Sequence, residues 1–132
     1  MKLNIGCGKK ILEGYINVDI KDFGQDIVED IFIYLPSLKE NSVNHIRAEH
    51  IIEHFNQDEA LKLLDLIWRI IEPNGELYII VPHLKNERAW ILAHKTFYNE
   101  FTFKVLDGKG WKIKEIVVND RLDIHCKMLP IK

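Results

Sequence analysis

The chain has 132 residues, 47% of them hydrophobic and 29% charged, which fits one globular core rather than two domains or a disordered tail. Eighteen Lys and Arg stand against 20 Asp and Glu, a formal net charge of -2, so no broad basic footprint for duplex nucleic acid or an anionic membrane is present. Cys7 and Cys126 form neither a CxxC pair nor a zinc spacing, and no run of about 18 apolar residues exists; reduced thiols in a cytoplasmic protein are expected.

In chain order, Leu3-Asn4-Ile5 predicts a short strand broken by Gly6-Cys7-Gly8. Tyr15 to Asp19 and Asp26 to Asp30 predict two further strands with acidic ends, and Ser42 to Ala48 a fourth. A long helix begins at Asn56, which caps it, with Glu59 completing a capping box and Pro73-Asn74-Gly75 ending the segment. Its apolar residues make two stripes: Leu61, Leu64, Trp68 and Ile71 in one, and Leu63, Ile67 and Ile70 in the other. More than half its circumference is then apolar, and it should lie flat on a sheet. Glu76 to Pro82 is nearly continuous in apolar and β-branched residues, as in a central parallel strand covered on both faces, which implies helices on both sides of the sheet. A His- and aromatic-rich stretch to Tyr98, a helix from Asn99 to Leu106, and a hairpin of Trp111 to Asn119 with Leu122 to Leu129 complete the chain. The alternation of strands and helices is that of an α/β protein.

Two glycines directly after a first strand let a ligand approach the carboxyl edge of a sheet, although a tight turn leaving a buried strand asks for the same residues. The dinucleotide pattern GxGxxG fails, because Ile11 stands where its third glycine belongs. Asp19 follows too soon after Gly8 for a full crossover helix. A nucleoside fits better than an extended dinucleotide: Asp19 can take both ribose hydroxyls, and Asp30 can meet an adenine amino group or cap a helix.

Leu3-Asn4-Ile5-Gly6-Cys7-Gly8, Gly14 to Asp19 and Asp26 to Asp30 resemble the first half of a class I S-adenosylmethionine-dependent methyltransferase. Leu35-Pro36, Asn41-Ser42-Val43, Glu53-His54-Phe55, Glu59-Ala60, Pro73-Asn74-Gly75 and Val81-Pro82-His83 resemble the pattern of its small-molecule members. The resemblance implies one methyltransferase-like domain over residues 1–132, with a doubly wound, mostly parallel, seven-stranded Rossmann-like sheet. Its strand order is 3-2-1-4-5-7-6, with an antiparallel C-terminal hairpin. It also implies methyl transfer from S-adenosylmethionine to a small-molecule or glycan-precursor acceptor. Asn4, Gly6, Cys7, Gly8, Asp19, Asp30, Ile31 and Glu49 would meet the cofactor, with His50 near the donor methyl. Three departures stand out: Asn4 replaces an acidic residue, Lys10 replaces a third glycine, and the chain starts at the first strand without a covering helix. An open site, or one completed in a homodimer, is expected from them. So is the rival reading of a noncatalytic nucleoside-binding or assembly subunit.

His83, after the fifth strand, is placed to serve as a general base, while His94 and His125 read as surface or half-buried imidazoles. His50-Ile51-Ile52-Glu53-His54 spells the inverted zinc-protease motif, which needs a helix that the following cap at Asn56 leaves no room for; no metal is expected. His54 is instead expected to hydrogen-bond across the strand-to-helix turn. Trp90, Phe97, Tyr98, Phe101 and Phe103 either line an acceptor pocket or join the core.

Overall fold

Seven extended segments build one sheet in the computed structural model, which describes residues 1–132. They are β1 (Lys2–Ile5), β2 (Ile16–Asp19), β3 (Ile27–Val28), β4 (Val43–Glu49), β5 (Ile71–Pro82), β6 (Trp111–Val118) and β7 (Asp123–Pro130). Their spatial order is β3-β2-β1-β4-β5-β7-β6. Neighbours among β1 to β5 are parallel, and β7 runs antiparallel to both β5 and β6. This is the expected α/β sheet with its C-terminal hairpin. Three α-helices accompany it: α1 (Ile31–Tyr34), α2 (Gln57–Ile70) and α3 (Glu100–Lys104).

The capping box forms as expected, with Asn56 Oδ1 accepting from Glu59 N at 2.9 Å and Glu59 Oε1 accepting from Asn56 N at 3.0 Å. Of the two apolar stripes on α2, one is fully buried, Leu63, Ile67 and Ile70 together with Ala60, while Leu64 and Trp68 of the other are half-buried against the core. Leu61, expected in the other, is half exposed. The helix also stops earlier than expected. Ile71 is already extended, and Pro73-Asn74-Gly75 lies within β5, where its register against β4 shifts.

The core is one cluster. Leu3, Ile46, Ala48, Leu77, Ile79, Val81, Ile124, Cys126 and Met128 join Ile31 of α1, the buried stripe of α2 and Phe103 of α3. Alternation sends the intervening residues to the other face: His45, Arg47 and Glu49 of β4, Glu76 and Tyr78 of β5, His125 and Lys127 of β7. The helices expected on that face are not formed. The connections that would carry them, residues 6–15 and 20–26, are loops shorter than the dozen or so residues a helical crossover takes.

Polar side chains cover the second face instead. Glu49 pairs with Lys10 at 3.0 Å and Arg47 at 2.9 Å, and Glu76 pairs with Lys114 at 3.1 Å. Arg47 and Lys127 lie over the Tyr78 ring at 5.0 and 5.1 Å, a cation–π arrangement. No helix of the chain is long and apolar enough to cross a membrane.

Candidate functional site

The parallel strands all end at one edge of the sheet, and two cavities lie there, sharing the side chain of His50 as a wall. The first, of about 520 Å³, brings together Gly6, Gly8, Asp19, Asp30 and Ile31, all expected at a cofactor, with Ile20, Phe23, Phe32, Ile51 and Phe55. Gly6 has φ +62°, and a Cβ there would stand 2.5 Å from Ile51 Cδ1. The loop can therefore leave β1 this tightly only with glycine. Asp19 fixes the loop from the next strand, its Oδ2 accepting from Gly8 N at 2.9 Å and its Oδ1 from Lys21 N at 3.0 Å. Each oxygen keeps a second lone pair for a ligand. Asp30 caps α1 through Oδ1, which accepts from Phe32 N at 2.9 Å; cap and ligand roles are compatible because Oδ2 stays free.

A nucleoside cofactor fits these residues: a backbone stripped of Cβ where it would approach, acceptors for a diol and an amino group, and apolar and aromatic walls for a base.

Three residues expected at the cofactor are engaged elsewhere and line neither cavity. Asn4 is buried under the β1–β2 loop, its Nδ2 donating to Lys10 O at 2.8 Å and Asn17 Oδ1 at 2.9 Å. Cys7 turns inward, and burial followed by the nearby Asp19 charge raises its pKa, so it is no thiolate nucleophile. Glu49 belongs to the polar face; burial works to raise its pKa, but its hydrogen bonds to Arg47 and Lys10 bring it below the usual range.

The second cavity, of about 750 Å³, is polar, lined by His50, Glu53, Pro82, Asn86, Arg88, Ile91, His94, Arg121 and Asp123. Glu53 lies in the single 3-10 turn Ile52–His54 and is fully buried, with no hydrogen-bond partner for either carboxyl oxygen. Its main-chain carbonyl accepts from Lys95 N at 2.8 Å, which folds the 91–96 segment over it. His50 holds φ +53°, a conformation rare outside glycine. Its Nδ1 stands 3.4 Å from Glu53 Oε2, close enough for an ion pair but off the line of a hydrogen bond, and its Nε2 is 4.0 Å from Asp123 Oδ2. Glu53 raises the His50 pKa; burial opposes this, and Asp123 and Glu49 add to the rise.

His83, expected as a general base, lines neither cavity. Lys85 N donates to its Nδ1 at 3.0 Å, so Nε2 carries the hydrogen and donates to Glu100 Oε1 at 2.6 Å. Both nitrogens are engaged, Nδ1 in the turn after β5 and Nε2 in tying that turn to α3. The helix that the inverted zinc motif needs is a single 3-10 turn, and no three His, Cys, Asp or Glu side chains are grouped to hold a metal ion. His54 makes no side-chain hydrogen bond across the turn; its ring packs edge-on against His94, centroids 4.7 Å apart. Tyr98 and Phe103 stack in the core, whereas Trp90 and Phe97 stack at the surface. Glu53, Arg88, Arg121 and Asp123 were not expected as site residues; the one signal at hand was the acidic residue of the HxxEH string.

No family model matches the sequence, and no curated protein matches it. Solved structures do. A SAM-dependent methyltransferase from Archaeoglobus fulgidus shares 19% identity at a TM-score of 0.75, covering 97% of this chain and 85% of that one. The 1,6-didemethyltoxoflavin-N1-methyltransferase of Burkholderia thailandensis, solved with 1,6-didemethyltoxoflavin and S-adenosylhomocysteine, shares 13% identity at 0.74, covering 99% and 71%. N-methyltransferase NodS of Bradyrhizobium japonicum shares 14% at 0.68, covering 99% and 85%. At such identities the likeness is one of fold, and it is unambiguous: the chain has the class I S-adenosylmethionine-dependent methyltransferase fold.

Proposed function

We propose that the chain binds S-adenosylmethionine in the cleft at Gly6, Gly8, Asp19 and Asp30 and methylates a small molecule held in the adjoining polar cavity. The observation that carries this reading is the pair of cavities meeting at His50, one suited to a nucleoside and the other to a polar acceptor. Bound S-adenosylmethionine supplies a methyl group on a sulfonium, whose sulfur leaves as a neutral thioether without help from a protein acid. The protein then has to orient the acceptor, exclude water and accept a proton. Asp19 and Asp30 hold the nucleoside, and Ile51, seated on Gly6, shapes the floor of the cleft. His50, on the wall of both cavities and braced by Glu53 and Asp123, takes the acceptor's proton in place of His83. The free Cys7 and Cys126 support a reducing, cytoplasmic setting.

Calorimetric titration of the intact protein with S-adenosylhomocysteine tests this. Micromolar binding that Asp19→Ala weakens at least tenfold is expected, and absence of binding overturns it. One observation favours a second reading, a noncatalytic nucleoside-binding subunit: Asn4 is locked to Lys10 and Asn17, leaving no carboxylate there for a cofactor ammonium. Tight S-adenosylhomocysteine binding without methyl transfer to any acceptor that occupies the second cavity would favour that alternative.

A further inference from the structure

Resting on the methyltransferase reading, we infer that the second cavity receives a small amine that also carries an anionic group, with Glu53 holding the nitrogen and Arg88 and Arg121 the anion. Glu53 is the carboxylate the fold leaves without a hydrogen bond: its side chain is 1% exposed, it lines the cavity, Oε1 has no partner, and Oε2 has only the misaligned ion-pair contact with His50. Buried acceptors without donors cost stability, and native folds retain few of them without a use. Two acceptor oxygens without a hydrogen bond call for two hydrogens. An amine nitrogen brings two, or three as ammonium, where a hydroxyl brings one.

Arg88 and Arg121 line the same cavity, and neither guanidinium is ion-paired within the chain. Arg88 lies in the 3-10 turn Glu87–Trp90 that follows β5, and Arg121 in the β6–β7 turn. Asn86 ties these loops together, its Nδ2 donating to Arg121 O at 3.1 Å. The two guanidiniums therefore come from joined loops, and such forks suit bidentate contact with a carboxylate or a phosphate. His50, shared with the first cavity, and Asp123 complete the polar lining. With Ile91 and Pro82 the apolar lining, a hydrocarbon occupant is disfavoured.

The test is calorimetry on the intact protein with short ω-amino carboxylates and aminoalkyl phosphates, each beside its hydroxy analogue and the unsubstituted amine. The amino compounds should bind at least about tenfold more tightly than the hydroxy analogues. Glu53→Gln should lose that preference while melting at the same temperature or higher when measured above the titration of His50, because the orphaned carboxylate is gone. Arg88→Met and Arg121→Met should weaken the anionic compounds and leave the unsubstituted amine unchanged. Equal binding of amine and hydroxy compounds, no binding at all, or a lower melting temperature for Glu53→Gln would each overturn the assignment. Titration with S-adenosylhomocysteine separates the two claims. Amine binding without S-adenosylhomocysteine binding defeats the methyltransferase reading alone, and the converse defeats the amine site alone.

Discussion

At Gly6 two independent demands coincide, a left-handed backbone and the absence of a Cβ beneath Ile51. Left-handed φ costs an ordinary residue about 1–2 kcal/mol, and forcing an atom into packed space adds about 1–3 kcal/mol. Gly6→Ala should therefore lower the unfolding free energy by about 2 kcal/mol or more, read as a lower urea midpoint at unchanged slope. His50 behaves differently because its energetics depend on pH. Its folded pKa is raised, so its stabilising contribution is complete below the unfolded value of about 6.5 and is lost as pH rises through the folded value. Glu53→Gln removes the main cause, so the variant's stability relative to the wild type should improve as pH rises; a difference flat with pH would refute the coupling. That Gly6, Gly8, Asp19 and Asp30 share one cleft was legible in the sequence because each lies at, or within three residues of, the carboxyl end of a strand, where α/β sheets form their crevices. Glu53, Arg88, Arg121 and Asp123 were not, since they come from three separate segments that only the tertiary fold brings to one cavity.

Among the elements, α2 was the most legible, because capping chemistry and helical periodicity coincide in its first turns. Asn56→Ala removes the side-chain half of its box, the bond from Glu59 N, while the backbone N–H of residue 56 can still reach Glu59; it should cost about 1 kcal/mol, measurable as an equal loss in thermal and urea denaturation. Strand β5 was only half legible. Tyr78 and Ile80 made it read as covered on both faces, yet the Tyr78 ring is shielded by the side chains of Arg47 and Lys127 rather than by a helix. Long cationic side chains can stand in for a packed layer, and a hydrophobicity pattern does not register them. The end of α2 misled for a related reason: Pro73-Asn74-Gly75 signals a break, but the break it marks is the register shift inside β5.

For the whole molecule, strand order and hairpin were readable because a repeated alternation and a family resemblance met at the same C-terminal edge. The number of layers was not, since it depends on what two short loops fail to form. A sheet with helices packed on one face leaves 34 of its 132 residues buried. The heat capacity of unfolding is governed by the apolar surface newly hydrated, ordinarily about 12–15 cal/mol/K per residue. Scanning calorimetry should find this chain below that range. Its stability curve is then shallow, so that between cold and warm conditions its folded fraction changes little, with no sharp optimum between them.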